Sequence, residues 1–78
     1  MNKPTRLPAT DPQTLRAFVA VAREGNVSRA AQRLHLSQPA VSLQLKSLAG
    51  ATGLQLFERT AQGMSLTRDG AALLPLAD

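Results

Sequence analysis

The apolar residues of the chain recur at the spacing of an α-helix in three consecutive segments. The first segment begins at Asp11-Pro12, where an N-cap residue precedes a proline suited to a first helical turn, and it ends near Gly25. Its predicted buried stripe consists of Leu15, Phe18, Val19 and Ala22. The folded part of the chain is therefore expected to open with an amphipathic helix.

Two further helices, joined by a tight turn, are predicted within residues 28–52. Ser28 is the expected N-cap of the first, which runs to about His35, and Ser37 caps the second, which runs from about Gln38 to Thr52. Their predicted buried faces are Val27, Ala30, Ala31 and Leu34 in one, and Val41, Leu45 and Leu48 in the other. Such a pair is typical of a helix-turn-helix.

The opposite face of the later helix carries small polar groups. Its residues are Gln38, Pro39, Ser42, Leu43, Lys46 and Ser47. Serine is a mediocre helix former, so repeated serines on one exposed face favour a role in hydrogen bonding to base edges or phosphates. The alternative is that Gln38 only completes the cap begun by Ser37 and that the serines have no function.

A β-hairpin and a fourth helix are predicted to follow. Residues 54–59 alternate like a half-buried strand, residues 61–63 form a turn, and residues 64–66 form a returning strand. Thr67 then caps the fourth helix, in which Pro75 is expected to bend or shorten the end. The fold class is mostly α, a winged helix-turn-helix at residues 11–66, with a disordered leader at 1–10 and the start of a linker helix at 67–78.

Three blocks of sequence resemble the N-terminal domain of the LysR-type bacterial transcriptional regulators. They are S-x-A-A-x-x-L-x-x-S-Q-P-A-V-S from Ser28 to Ser42, G-L-x-L-F-E-R from Gly53 to Arg59, and L-T-x-x-G from Leu66 to Gly70. Their order and spacing are those of the family. The resemblance implies that a recognition helix, about residues 38–52, enters the major groove of double-stranded DNA. It also implies that the wing, about residues 54–66, lies on the DNA backbone or minor groove.

The resemblance also implies a set of contact residues. The base-reading end of the recognition helix would be Gln38, Pro39, Ser42 and Leu43, although many family members carry arginine where this chain has Leu43. The expected contacts to the DNA backbone are Ser28, Ser37, Lys46, Arg59 and Thr60. An ion pair with Glu58 or Asp69 is the alternative role for Arg59.

Assembly and further partners are also expected from the resemblance. Two copies would bind an inverted-repeat operator and pair weakly through Leu73, Leu74 and Leu76 of the fourth helix. The chain is expected to be a fragment of a longer regulator whose effector domain is absent. RNA polymerase is a possible partner of the full-length protein, and the expected location is the cytoplasm.

Charge and composition narrow the function further. The net charge is +4, and no acidic residue lies between Glu24 and Glu58, where a polyanion would meet Arg29, Arg33 and Lys46. With no cysteine, one histidine and five acidic residues, the chain predicts no metal site, no cofactor and no catalytic set. No apolar run approaches the roughly 20 residues needed to span a bilayer. The competing hypothesis is a helical protein-interaction module with incidental DNA affinity.

Overall fold

The secondary-structure elements follow one another in the predicted order. The computed structural model describes residues 12–77, so the leader at residues 1–10, the Asp11 cap and Asp78 lie outside the described residues. The elements are α1 (Pro12–Glu24), α2 (Val27–Leu34), α3 (Gln38–Thr52), β1 (Phe57–Thr60), β2 (Gly63–Leu66) and α4 (Arg68–Ala77). Three helices, a two-stranded antiparallel hairpin and a fourth helix confirm the winged helix-turn-helix.

The N-cap of α2 is Asn26, so the prediction that Ser28 caps this helix is wrong. Asn26 has an extended backbone, and its side-chain oxygen accepts a hydrogen bond of 2.9 Å from the backbone N–H of Arg29. It follows Gly25, whose positive φ of 68° lets the chain leave α1 and turn at once into α2. Ser28 consequently lies in the first turn of α2, where its hydroxyl is not needed for capping.

The turn between α2 and α3 is as predicted. His35 adopts the left-handed conformation at φ 58°, and the N–H of Leu36 donates to the carbonyl of Ala31 at 2.9 Å. The Ser37 hydroxyl then caps α3 by accepting from the N–H of Ala40 at 3.2 Å. At the other end, Gly53 is left-handed and its N–H donates to the carbonyl of Ala49 at 2.8 Å. The α3 helix therefore has defined ends on both sides.

The core lies between α1 and the helix-turn-helix, and extends under the wing. Its buried residues fall into one cluster of small and branched side chains and another of larger ones: Ala17, Val21, Ala30, Ala31 and Val41, then Phe18, Leu48 and Leu56. Leu45 and Phe57 pack against both clusters, and the Phe57 ring meets Phe18 edge-on at a centroid distance of 5.5 Å. On the predicted buried faces of α2 and α3, Ala30, Ala31, Val41 and Leu48 are buried as predicted. Val27, Leu34 and Leu45 are half-buried and pack against this core.

The buried face of α1 differs from the predicted stripe. Phe18 is buried as expected, but the other buried positions of α1 are Thr14, Ala17 and Val21. Leu15, Val19 and Ala22 are only half-buried. The apolar residues of α1 extend around more of the helix than one stripe because α1 packs against α2 and α3 and also against α4. The spacing of apolar residues along α1 predicts one buried stripe. It cannot distinguish the residues that face α2 and α3 from those that face α4.

The wing begins later than predicted. The strands pair from Phe57↔Leu66 to Thr60↔Gly63, which leaves a two-residue connection at positions 61 and 62. Residues 54–56 are not part of a strand, because the chain turns into α4 after Leu66 and offers them no cross-strand partner. The Leu56 carbonyl accepts instead from the N–H of Thr67 at 3.0 Å. Leu56 is thereby held inside the core at the base of the wing.

Pro75 lies inside α4 and does not end it. The helix runs from Arg68 to Ala77, so the expected shortening at Leu74 is wrong. Leu73, Leu74 and Ala77 pack against the core, and this packing holds the helical path through the proline. Pro75 has no N–H, so the carbonyl of Ala71 lacks its usual helical partner, and both residues lie on the exposed side of α4.

Candidate nucleic-acid interface

The two sides of α3 have opposite environments. Val41 and Leu48 are buried against α1 and the base of the wing, whereas the five predicted contact residues of this helix are exposed: Gln38, Pro39, Ser42, Leu43 and Lys46. Leu43 is 66% exposed, which is unusual for a large apolar side chain in the described domain. The outward side of α3 is therefore accessible along its first two turns.

The start of α3 and the start of α2 meet at one corner of the domain. The Gln38 side chain donates a hydrogen bond of 2.6 Å from Nε2 to the hydroxyl oxygen of Ser28. This contact links the first turns of the two helices, which contain no acidic residue. The backbone N–H groups of both helix starts thus carry their partial positive charge on the same side as the exposed polar residues.

A shallow depression of about 230 Å³ joins this corner to the wing. The residues that line it are Asn26, Val27, Ser28, Gln38, Ser42, Arg59, Gly63 and Met64. The structure therefore brings together four of the predicted contact residues, from α2, α3 and β1. Together they offer hydroxyl and amide groups that donate and accept hydrogen bonds, and one permanent positive charge.

The wing is fixed to the helix-turn-helix by its backbone. The N–H of Met64 donates to the carbonyl of Gly25 at 3.0 Å. Gly63, with φ 132°, passes so close to Gly25 that a Cβ atom at position 63 would collide with the same carbonyl oxygen. Arg59 pairs with Met64 across the hairpin, so this anchor also sets the position of the arginine beside α2 and α3.

The remaining predicted contact residues lie around this corner or beyond it. Ser37, the N-cap of α3, is exposed. Thr60, at the end of β1, is also exposed, and its hydroxyl donates to the Gly63 carbonyl at 3.4 Å. Within residues 12–77, Arg59 forms no ion pair with Glu58 or Asp69, which was the alternative to a DNA contact.

The three leucines predicted for subunit pairing differ in exposure. Leu73 and Leu74 are half-buried against the domain's own core, whereas Leu76 is 81% exposed. Leu76 therefore exposes most of its side chain to solvent, whereas Leu73 and Leu74 are only partly exposed. Pairing through α4 stays a prediction.

Two residues that position the interface are absent from the sequence-based expectations. Asn26 caps α2 and lines the depression, and its place after Gly25 is a signal that could have found it. Thr14, buried in α1, donates from its hydroxyl to the side-chain oxygen of Gln44 in α3 at 2.5 Å. This bond links α1 to α3, but a threonine among apolar residues gives no such indication in the sequence.

Among residues 12–77, no three His, Cys, Asp or Glu side chains lie close enough to hold a metal ion. None of the helices in this range combines the length and apolar character needed to cross a membrane.

The sequence matches characterised regulators. The model for the family described as "Bacterial regulatory helix-turn-helix protein, lysR family" matches residues 12–71. The transcriptional regulator TfdS of Cupriavidus pinatubonensis is 57% identical over 60 residues, which are 77% of this chain and 20% of TfdS. ClcR of Pseudomonas putida is 50% identical over 60 residues, with the same coverage of 77% and 20%. The chain thus spans about a fifth of the length of these relatives.

Solved structures share the fold. The CbnR DBD–DNA complex superposes with a TM-score of 0.82 at 42% identity, covering 86% of this chain and 77% of that one. The BenM DBD in complex with catB site 1 DNA superposes with a TM-score of 0.81 at 34% identity, covering 86% of this chain and 75% of that one.

Proposed function

The chain belongs to the LysR family of bacterial regulatory helix-turn-helix proteins, and on this premise we propose that residues 12–77 bind double-stranded DNA in a sequence-specific manner. The proposed biological role is transcription regulation, in which this domain selects the site on the chromosome. CbnR and BenM domains of the same fold are known in complex with DNA. The family match and the regulator relatives support a binding domain and give no support to an enzyme.

One observation carries the proposal: Gln38 and Ser42 of α3 and Arg59 of β1 line a single depression beside the exposed face of α3. The major groove, about 12 Å wide, admits an α-helix. With α3 in the groove, its exposed first turns would face base edges while Val41 and Leu48 remain in the core. The depression would then lie where the base edges of the groove meet the bordering DNA backbone.

The base contacts are assigned to the exposed side chains of α3. Gln38 can bond adenine through both ends of its amide, and Ser42, one turn further along, can bond a base or a phosphate. Leu43 has no polar atom in its side chain, so its exposed surface suits a thymine methyl group. Pro39, beside Gln38 in the first turn, completes this set by van der Waals contact.

The backbone contacts are assigned to the residues around this face. Ser28 and Ser37, at the starts of α2 and α3, would approach phosphates together with backbone N–H groups. Lys46, one turn beyond Ser42, would pair with a phosphate across the groove. Arg59 and Thr60 would contact the backbone or the minor groove from the wing.

Assembly on the operator is the next step of the proposal. Two copies would bind an inverted repeat with half-sites about one helical turn apart, or a multiple of it. Leu76 is the exposed apolar contact that α4 offers to a second copy, with the outer edges of Leu73 and Leu74 beside it. In the same proposal, the full-length regulator acts on DNA in the cytoplasm and has RNA polymerase as a partner.

Selection of binding sites from a random duplex library tests the proposal. The wild-type domain should enrich one sequence as an inverted repeat. Gln38→Ala should relax the preference at one or two base pairs per half-site, at a cost of about 1–3 kcal/mol against the preferred site. Gln32→Ala is the matched control, because Gln32 is an exposed glutamine of α2 that does not line the depression. Enrichment of no sequence, or an unchanged profile for Gln38→Ala, would contradict the assignment.

A further inference from the structure

Leu43 is a large apolar side chain on the side of α3 that the proposed function turns toward the base edges. Three large apolar side chains of residues 12–77 are exposed to solvent: Leu43, Leu54 and Leu76. Of these, Leu43 alone lies within α3. At about 100° per residue, it lies about 160° around the helix from the buried Val41, so its isopropyl group points away from the core.

The surface around Leu43 leaves this isopropyl group accessible. Pro39, one turn before it, and Ser47, one turn after it, are also exposed and carry no charge. At Gly50, two turns after it, an added Cβ atom would contact no neighbouring atom within 4 Å. These three residues are small, so none of them would separate Leu43 from a duplex whose major groove receives α3.

Leucine forms no hydrogen bond through its side chain, which limits what it can recognise in the major groove. The base edges present hydrogen-bond donors and acceptors there, and the apolar group among them is the methyl group on C5 of thymine. Covering a donor or an acceptor with leucine would leave that polar group without a partner. Covering the methyl group instead removes apolar surface of both molecules from water. The C5 methyl group is therefore the feature of the groove that Leu43 can bind favourably.

We propose that Leu43 makes the domain sensitive to cytosine methylation at one base pair of each half-site, an inference that rests on the proposed function. The methyl group of 5-methylcytosine is attached to the same ring carbon, C5, as the methyl group of thymine. It projects into the major groove and takes no part in base pairing. A leucine that packs against the methyl group of one base can therefore pack against that of the other. Methylation of cytosine at this position would strengthen binding.

Two pairs of bases isolate the methyl group from every other difference between bases. Thymine and cytosine differ in the methyl group and also in the polar group at C4, so comparing them does not test Leu43 alone. Thymine and uracil differ only in the C5 methyl group, and both pair with adenine. Likewise, 5-methylcytosine and cytosine differ only in this group, and both pair with guanine. The ratio of affinities within each pair therefore measures recognition of the methyl group.

The experiment starts from the duplex that site selection identifies. Uracil replaces its thymines one at a time, and the affinity of the wild-type domain should fall by about fourfold at one thymine of each half-site, the factor expected for burying one methyl group. A C·G pair is then placed at that position. Its duplex methylated at cytosine C5 should bind about fourfold more tightly than the unmethylated duplex.

Variants assign the effect to Leu43. Leu43→Ala should bring both ratios close to one, whereas Leu43→Met keeps a long apolar side chain and should retain most of the difference. Leu54→Ala is the matched control, because Leu54 is an exposed leucine that lies outside α3, and it should leave both ratios unchanged. Circular dichroism melting curves check that each variant is folded.

Three results would overturn the proposal while leaving sequence-specific binding intact. The first is a selected site in which uracil replaces every thymine without loss of affinity. The second is equal affinity for cytosine and 5-methylcytosine at the position where uracil weakens binding. The third is a methyl effect of the same size in Leu43→Ala, since it would then arise from the DNA itself or from another residue. Failure to enrich any sequence would instead contradict the proposed function on which this inference rests.

Discussion

Leu48→Ala and Leu43→Ala delete the same isopropyl group from opposite sides of α3. Leu48 is 1% exposed and packs with Phe18 and Leu56, whereas Leu43 is 66% exposed. Truncating a leucine enclosed in this way costs about 2–5 kcal/mol, because transfer energy is lost and a cavity remains. Leu43→Ala leaves no cavity and puts a better helix former on an exposed site, so its effect should stay within about 0.5 kcal/mol.

The magnitude is large for a domain of this size. At about 0.05–0.15 kcal/mol per residue, a chain of 78 residues has a total stability on the order of 4–12 kcal/mol. Leu48→Ala should therefore remove a large share of it, and at the upper end of its cost the variant would be partly unfolded in water. Leu43→Ala should have an unfolding curve close to that of the wild type.

Urea denaturation followed by far-ultraviolet circular dichroism measures both variants. With a slope of about 1 kcal/mol per molar urea, typical of small proteins, Leu48→Ala should lower the midpoint by about 2 M or more. Leu43→Ala should instead weaken binding to the selected DNA site, measured on the same preparation. If the two variants lost similar stability, α3 would be rotated about its axis relative to the structure described, and the assignment of its exposed face to base contact would fall with it.

Three further predictions concern Lys46, the wing anchor and α4. Lys46→Ala should weaken binding to all sequences alike and make the salt dependence shallower by about one unit, and an unchanged slope would place Lys46 away from phosphates. Gly63→Ala puts a Cβ atom against the Gly25 carbonyl and should lower the free energy of unfolding, measured by urea titration, by about 1–3 kcal/mol. Gly50→Ala, at an open site within α3, should raise it by about 0.5–1 kcal/mol. Equal effects of the two substitutions would refute the backbone anchor. The free chain should sediment as a monomer or weakly exchanging dimer, because Leu73 and Leu74 are half-buried against the chain's own core and Leu76 is the exposed leucine of α4; a stable dimer at micromolar concentration would contradict this.

Local chemistry made much of α2 and α3 predictable from the sequence. Ser37 and Gly53 mark the ends of α3 through capping and left-handed geometry, which depend on neighbouring residues alone. Val41 and Leu48 follow the helical period, and the period also identified the exposed side. The exposed residues of α3 could therefore be named before the fold was known, and the resemblance to the LysR-type regulators supplied their expected role in contacting DNA.

Features that depend on contacts between elements were not predictable in this way. The late start of β1 depends on where α4 begins, and the path of α4 through Pro75 depends on packing by Leu73 and Leu74. Asn26 and Ser28 are both good caps, so the choice between them required the backbone conformation after Gly25. The hydrogen bond between Gln38 and Ser28 exists only because α2 and α3 meet at a particular angle.

The backbone anchor between Met64 and Gly25 has a consequence for the DNA rather than for the protein. A wing whose backbone is hydrogen-bonded to the turn before α2 is restrained in its distance from α3. On the proposed function, the duplex must therefore adjust its groove width and curvature to fit the spacing between the wing and α3. The energy of this deformation varies with base sequence, even at positions that no side chain touches. Part of the specificity of the domain would then be a preference for DNA of a certain shape and flexibility, enforced by a main-chain hydrogen bond.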